Sequence, residues 1–203
     1  FNPDHLPWQS LLEQCADASL TLINEGGYSL YTQGAEPYRD LFASLEANAD
    51  EYIWARRYSN DLNIKNNANA YSVARATGFT KRFVDMYLMA DGTRFTDIAG
   101  HDTLTYVAEC ANRDPRMAQT IHTPGYIQKG AAKTAAVNLK QTFTGYKYIK
   151  YVMESTYNTW DGSLVCLPIF RLGEVYLNYA EAKAELGTLT QADLDASINV
   201  LRD

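Results

Sequence analysis

The most informative stretch of the chain is Phe170-Arg-Leu-Gly-Glu-Val-Tyr-Leu-Asn-Tyr-Ala-Glu-Ala-Lys-Ala-Glu-Leu-Gly187. Its apolar residues recur at helical spacing, namely Leu172, Val175, Tyr176 and Tyr179. Its polar residues form a second stripe, namely Glu174, Asn178, Glu181 and Glu185. This pattern predicts an amphipathic helix over 171–186 that buries one face. Gly187 supplies the residue type that ends helices in the left-handed conformation.

A second helix is predicted directly after this one. Thr190 and Asp193 fit a capping box in which Asp replaces the usual Glu, and apolar residues continue beyond it. Two amphipathic helices joined by a tight link form an antiparallel hairpin, the unit of tetratricopeptide-like arrays. Segment 7–45 carries a helical pattern at 7–25 and a shorter one at 37–45. We therefore expect helical hairpins at about 7–45 and 171–203.

The part between the hairpins, about 51–170, is expected to be irregular and rich in loops. Its predicted elements are a strand over 52–58, an asparagine-rich loop over 59–70, a short helix capped by Thr80, a helix over 102–112, an extended turn before Pro115, a strand over 142–152 and an extended segment over 164–170. The predicted fold class is mainly α: tetratricopeptide-like helical hairpins with an irregular loop-rich portion and a few short strands.

Composition excludes several classes of protein. The chain has 203 residues, of which 46% are hydrophobic and 21% charged, with a net charge of −6. An acidic chain offers no basic surface for nucleic acid or anionic lipid, so neither is expected as a partner. Tyrosine is abundant, with 15 Tyr against 7 Phe and 3 Trp. A flat apolar ring with a polar tip suits wet interfaces and stacking on polar ligands.

Neither a metal nor a cofactor is expected. The three cysteines are too scattered for a zinc site or a disulfide framework, so Cys15 and Cys166 are interpreted as small buried hydrophobes. The three histidines, His5, His101 and His122, lack the close spacing of metal ligands.

Several short motifs, taken together in chain order, resemble the SusD/RagB family of outer-membrane nutrient-binding lipoproteins. The 170–187 stretch is very similar to the C-terminal signature helix of that family, although Gly173 stands where the signature usually has Ala. The supporting matches are Gly27-Tyr-Ser-Leu30, Val84-Asp-Met-Tyr87 before Asp91-Gly92, Asn112-Arg-Asp-Pro-Arg116, Pro124-Gly125 and Thr144-Gly-Tyr146. Family members are more than twice this length, and the chain begins at Phe1 rather than Met, so we expect 1–203 to be the C-terminal part of such a protein, without its N-terminal part.

The resemblance implies a binding protein and not an enzyme. Such proteins are held at the outer surface of the outer membrane by an N-terminal lipid, which would lie outside this chain. There they capture glycans or glycan fragments and deliver them to a SusC-like TonB-dependent transporter. The sugar-contacting residues vary within the family, so the resemblance transfers no site residue.

Two groups of residues are candidates for glycan contact, because flat rings stack on sugars and planar polar groups bind hydroxyls. If 52–58 is extended, Tyr52, Trp54, Arg56 and Tyr58 share one face beside the asparagine-rich loop. The second group lies at a later turn and comprises Tyr157, Asn158, Trp160 and Asp161. A competing interpretation places Tyr52 and Trp54 in the core, since aromatic rings dominate core burial.

Two other functional interpretations remain open, a hydrolase and a protein-binding scaffold. A glycoside hydrolase needs two carboxylates that converge on a sugar site, and Asp97, Asp102, Glu109 and Asp161 are available. A helical-repeat scaffold would bind only protein through its exposed aromatic residues. The cluster of Arg113, Asp114 and Arg116 could suggest catalysis, but Arg–carboxylate pairing that fixes a turn explains it better.

Overall fold

The computed structural model describes residues 7–202 and divides the chain into two compact units. The helical unit contains the chain up to Tyr31, then Ala47–Arg56 and the chain from Pro168 onward. The loop-rich unit contains Thr32–Glu46 and Arg57–Leu167. The structure confirms the predicted class, since the regular structure of the described residues is mainly helical with few strands and long irregular connections.

The helices and strands of the described residues are, in chain order, α1 Trp8–Glu25, α2 Pro37–Phe42, β1 Tyr52–Arg56, α3 Ala68–Ala74, α4 Lys81–Asp85, α5 Tyr106–Glu109, α6 Pro115–Ala118, β2 Leu167–Arg171, α7 Leu172–Glu185 and α8 Gln191–Asp195. Strands β1 and β2 form a two-stranded sheet. No helix within residues 7–202 is long and apolar enough to cross a bilayer.

The helical unit is built on the packing of α1 against α7. Ala16 of α1 is buried with Tyr179 and Ala182 of α7, and Leu12, Cys15 and Ile23 pack around them. Helix α1 thus has a different partner from the expected one, because the 37–45 segment belongs to the loop-rich unit. Small residues at 16 and 182 lie in this contact, and small side chains permit a close approach of two helices.

The junction from α7 to α8 confirms the predicted caps. Gly187 has a φ of +68°, and the side chains and backbones of Thr190 and Asp193 form the reciprocal capping box. Tyr179 Oη also donates a hydrogen bond of 2.5 Å to Asp193, which ties α7 to the start of α8. The second helix is shorter than expected, since it ends at Asp195 and the chain continues to 202 as consecutive turns.

The structure explains why position 173 is occupied by glycine. A Cβ at this position would overlap with Nη1 of Arg171. That guanidinium pairs at 2.8 Å with Glu51, whose side chain is only 3% exposed. Glu51 also accepts the backbone N–H of Tyr31 at 2.8 Å. The absent side chain therefore leaves space for the cation that neutralises a buried carboxylate.

The loop-rich unit is held by short helices around small apolar clusters. One buried cluster joins Val84, Met117, Ile121 and Tyr146. Another joins Ala43, Met153 and Val165. The Thr80 cap is confirmed, since its side chain accepts the backbone N–H of Phe83. The 164–170 segment is extended as predicted, and its last four residues belong to β2.

Two predicted elements of this unit are wrong. The 142–152 segment makes only isolated bridges, from Tyr146 to Phe79 and from Tyr148 to Ile121, because Gly145 and Tyr151 adopt positive φ and break any strand. The expected helix over 102–112 is divided, because Leu104 is extended and the Thr105 side chain caps a new helix, α5.

The Arg113–Arg116 cluster is structural, as predicted. Asp114 caps α6, and Arg116 donates to both of its carboxylate oxygens. Arg113 is buried and donates to the carbonyls of Val84 (2.7 Å), Tyr87 (2.8 Å) and Glu109 (3.0 Å). Its guanidinium also lies 3.8 Å from the ring centroid of Phe95. These contacts supply donors to carbonyls at or just beyond the C-terminal ends of α4 and α5.

Candidate functional site

The most exposed and best supported aromatic cluster of the loop-rich unit surrounds Trp160. Trp160 is 47% exposed. The ring of Tyr71 meets it edge-on, with centroids 5.3 Å apart at 89°. The guanidinium of Arg75 lies 4.9 Å from the indole centroid, in cation–π geometry. We call Tyr71, Arg75 and Trp160 the Trp160 platform.

Helix α3 explains why Tyr71 and Arg75 reach the same ring. The two residues are four positions apart, so a helical turn places them on one face. Arg75 stands at the C-terminal cap of α3 with an extended backbone, beyond the last helical residue. The platform therefore combines one face of a short helix with one turn from a distant part of the chain.

Three asparagines preceding and within α3 hold the turn that carries Trp160. Asn66 pairs with Ser163 through the backbone in both directions, and its side chain donates to the carbonyl of Val165 at 3.0 Å. Asn67 and Asp161 exchange two hydrogen bonds, of 2.9 Å and 2.5 Å.

The third asparagine, Asn69, is fully buried. Its side chain donates to Asn158 at 2.5 Å and accepts the backbone N–H of Met153, also at 2.5 Å. The asparagine-rich segment, expected as a surface loop beside the first candidate group, thus serves to fix the second group. Asp161 adopts a φ of +50°, a conformation that the exchange with Asn67 stabilises.

The arrangement gives an aromatic ring that is open to solvent yet fixed in place. Buried Asn69 and half-buried Asn66 and Asn67 hold the turn that keeps this indole at the surface. A fixed flat ring beside a guanidinium and a phenol provides stacking and hydrogen-bonding groups for a polar ring-shaped ligand.

The first candidate group does not stay together. Tyr52 is buried, as the core interpretation expected, whereas Trp54 is 59% exposed and contacts Phe170 with ring centroids 5.9 Å apart. Arg56 ends β1 on the exposed side, and Tyr58 is half-buried in the loop-rich unit beyond the strand. Trp54 and Phe170 therefore form a separate exposed aromatic pair in the helical unit.

Tyr157 and Asn158, two members of the second group, make contacts that hold the turn carrying Trp160. Tyr157 packs against the cluster of Ala43, Met153 and Val165. The amide oxygen of Asn158 accepts from Asn69 and from Gln128. Of the residues predicted at this turn, Trp160 alone combines high exposure with a ring that is fixed on one side.

Comparison with known proteins identifies the family. The model of the SusD family matches residues 41–203. The chain belongs to the SusD family. A search of curated proteins returned no significant relative. Among solved structures, a SusD-like carbohydrate binding protein from Bacteroides fragilis NCTC 9343 superimposes with a TM-score of 0.68 at 22% identity, over 96% of this chain and 40% of that one.

A second solved structure, a SusD-like protein from the same organism, has a TM-score of 0.65 at 24% identity, over 96% of this chain and 42% of that one. The chain thus spans well under half the length of these SusD-like structures. At this level of identity the likeness establishes the fold, which the SusD family match had already indicated.

Sequence reasoning missed Tyr71 and Arg75, which complete the platform of this SusD-family chain. Their four-residue spacing was visible, but nothing local indicated that Trp160 would lie against them. The asparagine clusters of 60–69 were the available signal, since side chains that pair with backbone in a turn are usually short and polar.

The acidic residues considered for hydrolysis have other roles where the structure shows contacts. Glu109 is buried and accepts from Tyr146 Oη at 2.9 Å and from Lys81 at 3.2 Å. Asp161 accepts from Asn67. Burial raises the pKa of the neighbouring Cys110 thiol to about 11, which lowers its thiolate fraction at neutral pH. Within residues 7–202, no group of His, Cys, Asp and Glu has the geometry of a metal site.

Proposed function

We propose that this chain binds glycans without transforming them, and that the Trp160 platform is a contact point for sugar. The observation that carries the proposal is the exposed Trp160 fixed by Asn67 and Asn69. Membership of the SusD family supports it, as does the description of one structural neighbour as a carbohydrate binding protein. The Trp54–Phe170 pair, with the nearby Arg56, is a second candidate contact.

The proposal extends to the cellular setting of the whole protein. We infer that a SusD-family protein containing this chain is anchored by an N-terminal lipid at the outer surface of the outer membrane. There it would pass captured glycan fragments to a SusC-like TonB-dependent transporter. A pull-down with the transporter encoded by a neighbouring gene tests this step, and repeated failure of that transporter to co-purify with the full-length protein would refute it.

Glycan binding is tested by affinity electrophoresis in gels that contain starch, xyloglucan, galactomannan, arabinoxylan, polygalacturonate or chitosan. The Trp160→Ala variant should lose most of the retardation seen with the wild-type chain, because stacking on one ring contributes about 1–3 kcal/mol in comparable aromatic contacts. The matched control is Phe143→Ala, which removes another exposed ring from the same unit and should leave retardation unchanged.

A reducing-sugar assay on the same polysaccharides separates binding from hydrolysis. Retardation without released sugar supports the proposal, and release of sugar would replace it with a hydrolase. If the folded chain is retarded by none of the gels, the protein-binding scaffold becomes the better account. Thermal melting of each variant shows whether a lost ring belonged to the binding surface or to the core.

A further inference from the structure

A cleft in the loop-rich unit lies between α2 and the loop over 123–131. Its volume is about 460 Å³, within the range of about 300–1,000 Å³ typical of small-molecule sites. The cleft is lined by side chains from the start of α2, by Ala118 and by residues of the loop over 123–131. We call it the α2 cleft. It contains none of the residues that the sequence proposed for glycan contact.

The loop is built from two tight turns, so the wall of the cleft is preformed. Tyr126 N–H donates to Thr123 O at 3.2 Å, with Pro124 second and Gly125 (φ +91°) third, as a type II turn requires. The next turn is closed by Ala131 N–H on Gln128 O at 2.9 Å.

Two cations attach this loop to α2. Arg39, whose side chain is 7% exposed, donates to Ile127 O and to Glu36, each at 2.7 Å. Lys129 donates to Ala43 O at 2.9 Å and lies 3.3 Å from Asp40. The guanidinium of Arg39 also stacks on the Tyr126 ring, 4.8 Å from its centroid. These contacts leave the cleft open but its walls fixed.

The charges of the lining are balanced. Glu36 and Asp40 are each matched by a cation, Arg39 and Lys129, that touches them. A free anion would meet the two carboxylates, and a free cation would meet the guanidinium and the ammonium. A neutral ligand with many hydroxyls meets acceptors and donors alternately and has no net charge to desolvate.

Hydrogen bonds of the Gln128 side chain link the loop of the α2 cleft to the turn that carries Trp160. Gln128 Nε2 donates to Met153 O at 2.8 Å and to Asn158 Oδ1 at 3.2 Å. Asn158 also accepts from Asn69 and precedes Trp160 by two positions. The loop that forms the cleft and the turn that carries the indole are therefore parts of one hydrogen-bonded structure.

We propose that the α2 cleft is a sugar subsite that holds an uncharged residue of the same glycan that stacks on Trp160. This inference rests on the proposed function and adds to it the charge class of the ligand: a neutral sugar in preference to a uronic acid or an amino sugar. Balanced charges and fixed walls select against ions, while Gln128 and Asn158 set the register between the two contacts.

The first experiment blocks the cleft without changing its charges. Ala131 lines the cleft and Ala132 is exposed beside it, so Ala131→Leu and Ala132→Leu form a matched pair. In the same six polysaccharide gels, Ala131→Leu should weaken binding by about tenfold, the lower end of the effect that one added methylene has on the fit of a pocket. Ala132→Leu should bind like wild type. Equal retardation of the two variants would overturn the subsite.

The second experiment tests the charge class. The wild-type chain should bind neutral polysaccharides, and should bind polygalacturonate better after its carboxyl groups have been reduced to hydroxymethyl groups. Asp40→Asn leaves the ammonium of Lys129 without its carboxylate and should raise the affinity for unreduced polygalacturonate by about two- to fivefold, the size of an exposed charge pair. Wild-type binding confined to polygalacturonate or chitosan would overturn the neutral assignment.

Failure of this inference can be distinguished from failure of the proposed function. If Trp160→Ala abolishes binding while Ala131→Leu does not, the chain binds glycan but the α2 cleft is not a subsite. If the folded wild-type chain binds none of the polysaccharides, the proposed function fails, and the subsite with it.

Discussion

The two units of this chain are stabilised by different kinds of contact. The helical unit rests on two long helices, α1 and α7, whose contact buries Ala16 against Tyr179 and Ala182. The loop-rich unit has only short helices, and buried polar side chains hold its backbone. Two of the proposed sugar contacts, the Trp160 platform and the α2 cleft, lie in the loop-rich unit, where polar side chains fix an irregular backbone. The third, the Trp54–Phe170 pair, lies in the helical unit.

The two units also differ in their balance of acidic and basic residues. The helical unit contains twelve acidic residues against four basic ones, whereas the loop-rich unit contains twelve against fourteen. The cations of the loop-rich unit are used inside it: Arg39, Arg113 and Lys129 all donate to backbone carbonyls. These three cations therefore have a structural role within the unit.

The largest expected effect is the loss of such a cation. Arg113→Ala removes three hydrogen bonds to buried carbonyls and should destabilise the protein by about 3–5 kcal/mol. Urea denaturation measures the change. The control is Arg94→Ala, an exposed arginine of the same unit that should shift the midpoint little. Similar midpoints for both variants would contradict the role of polar side chains in this unit.

The corresponding test of the helical unit is steric. Ala182 is 1% exposed between α1 and α7, so Ala182→Leu should overpack the contact and cost about 1–3 kcal/mol. Ala184 lies two positions away on the exposed side, and Ala184→Leu should be nearly neutral. The same loss of thermal stability in both variants would show that close approach of the helices is not what holds this unit.

A smaller effect is expected at Gly173, where two terms oppose each other. Alanine is favoured over glycine in a helix by about 1 kcal/mol, but a Cβ here displaces the Arg171 guanidinium from buried Glu51. Gly173→Ala should therefore fail to stabilise the wild-type chain. In an Arg171→Ala background the same substitution should stabilise it, and a double-mutant cycle measures the difference. Equal effects in both backgrounds would rule out the steric explanation.

The smallest effect concerns pH. Hydrogen bonds from Tyr179 and Thr190 lower the pKa of Asp193 from 3.8 to about 2. A carboxylate with a depressed pKa contributes stability above its unfolded pKa and loses it as the pH falls through the folded value. Asp193→Asn should thus lower the melting temperature at pH 6, while at pH 2 the variant and the wild type should nearly coincide. A constant difference between pH 6 and pH 2 would contradict this linkage.

The periodic elements could be predicted closely from the sequence. The predicted helices at 7–25 and 171–186 correspond to α1 at 8–25 and α7 at 172–185, because their apolar stripes and terminal glycines are local signals. The predicted strand over 142–152 was wrong, since alternation alone does not show that Gly145 and Tyr151 take positive φ. Only part of the Trp160 platform was predicted from the sequence. Trp160 was identified beside a turn signal, whereas Tyr71 and Arg75 were not identified.

What the sequence determined by itself is the two long helices at 7–25 and 171–186, the capping box that follows the second of them, and the family to which the chain belongs. Only the tertiary structure decided that α1 pairs with α7, that Gly173 makes room for Arg171, and that asparagines near residue 67 hold a turn 94 positions away. The physical reason is range. Helical periodicity acts between residues three or four apart, whereas the hydrogen bonds that place Trp160 depend on the path of the chain between them.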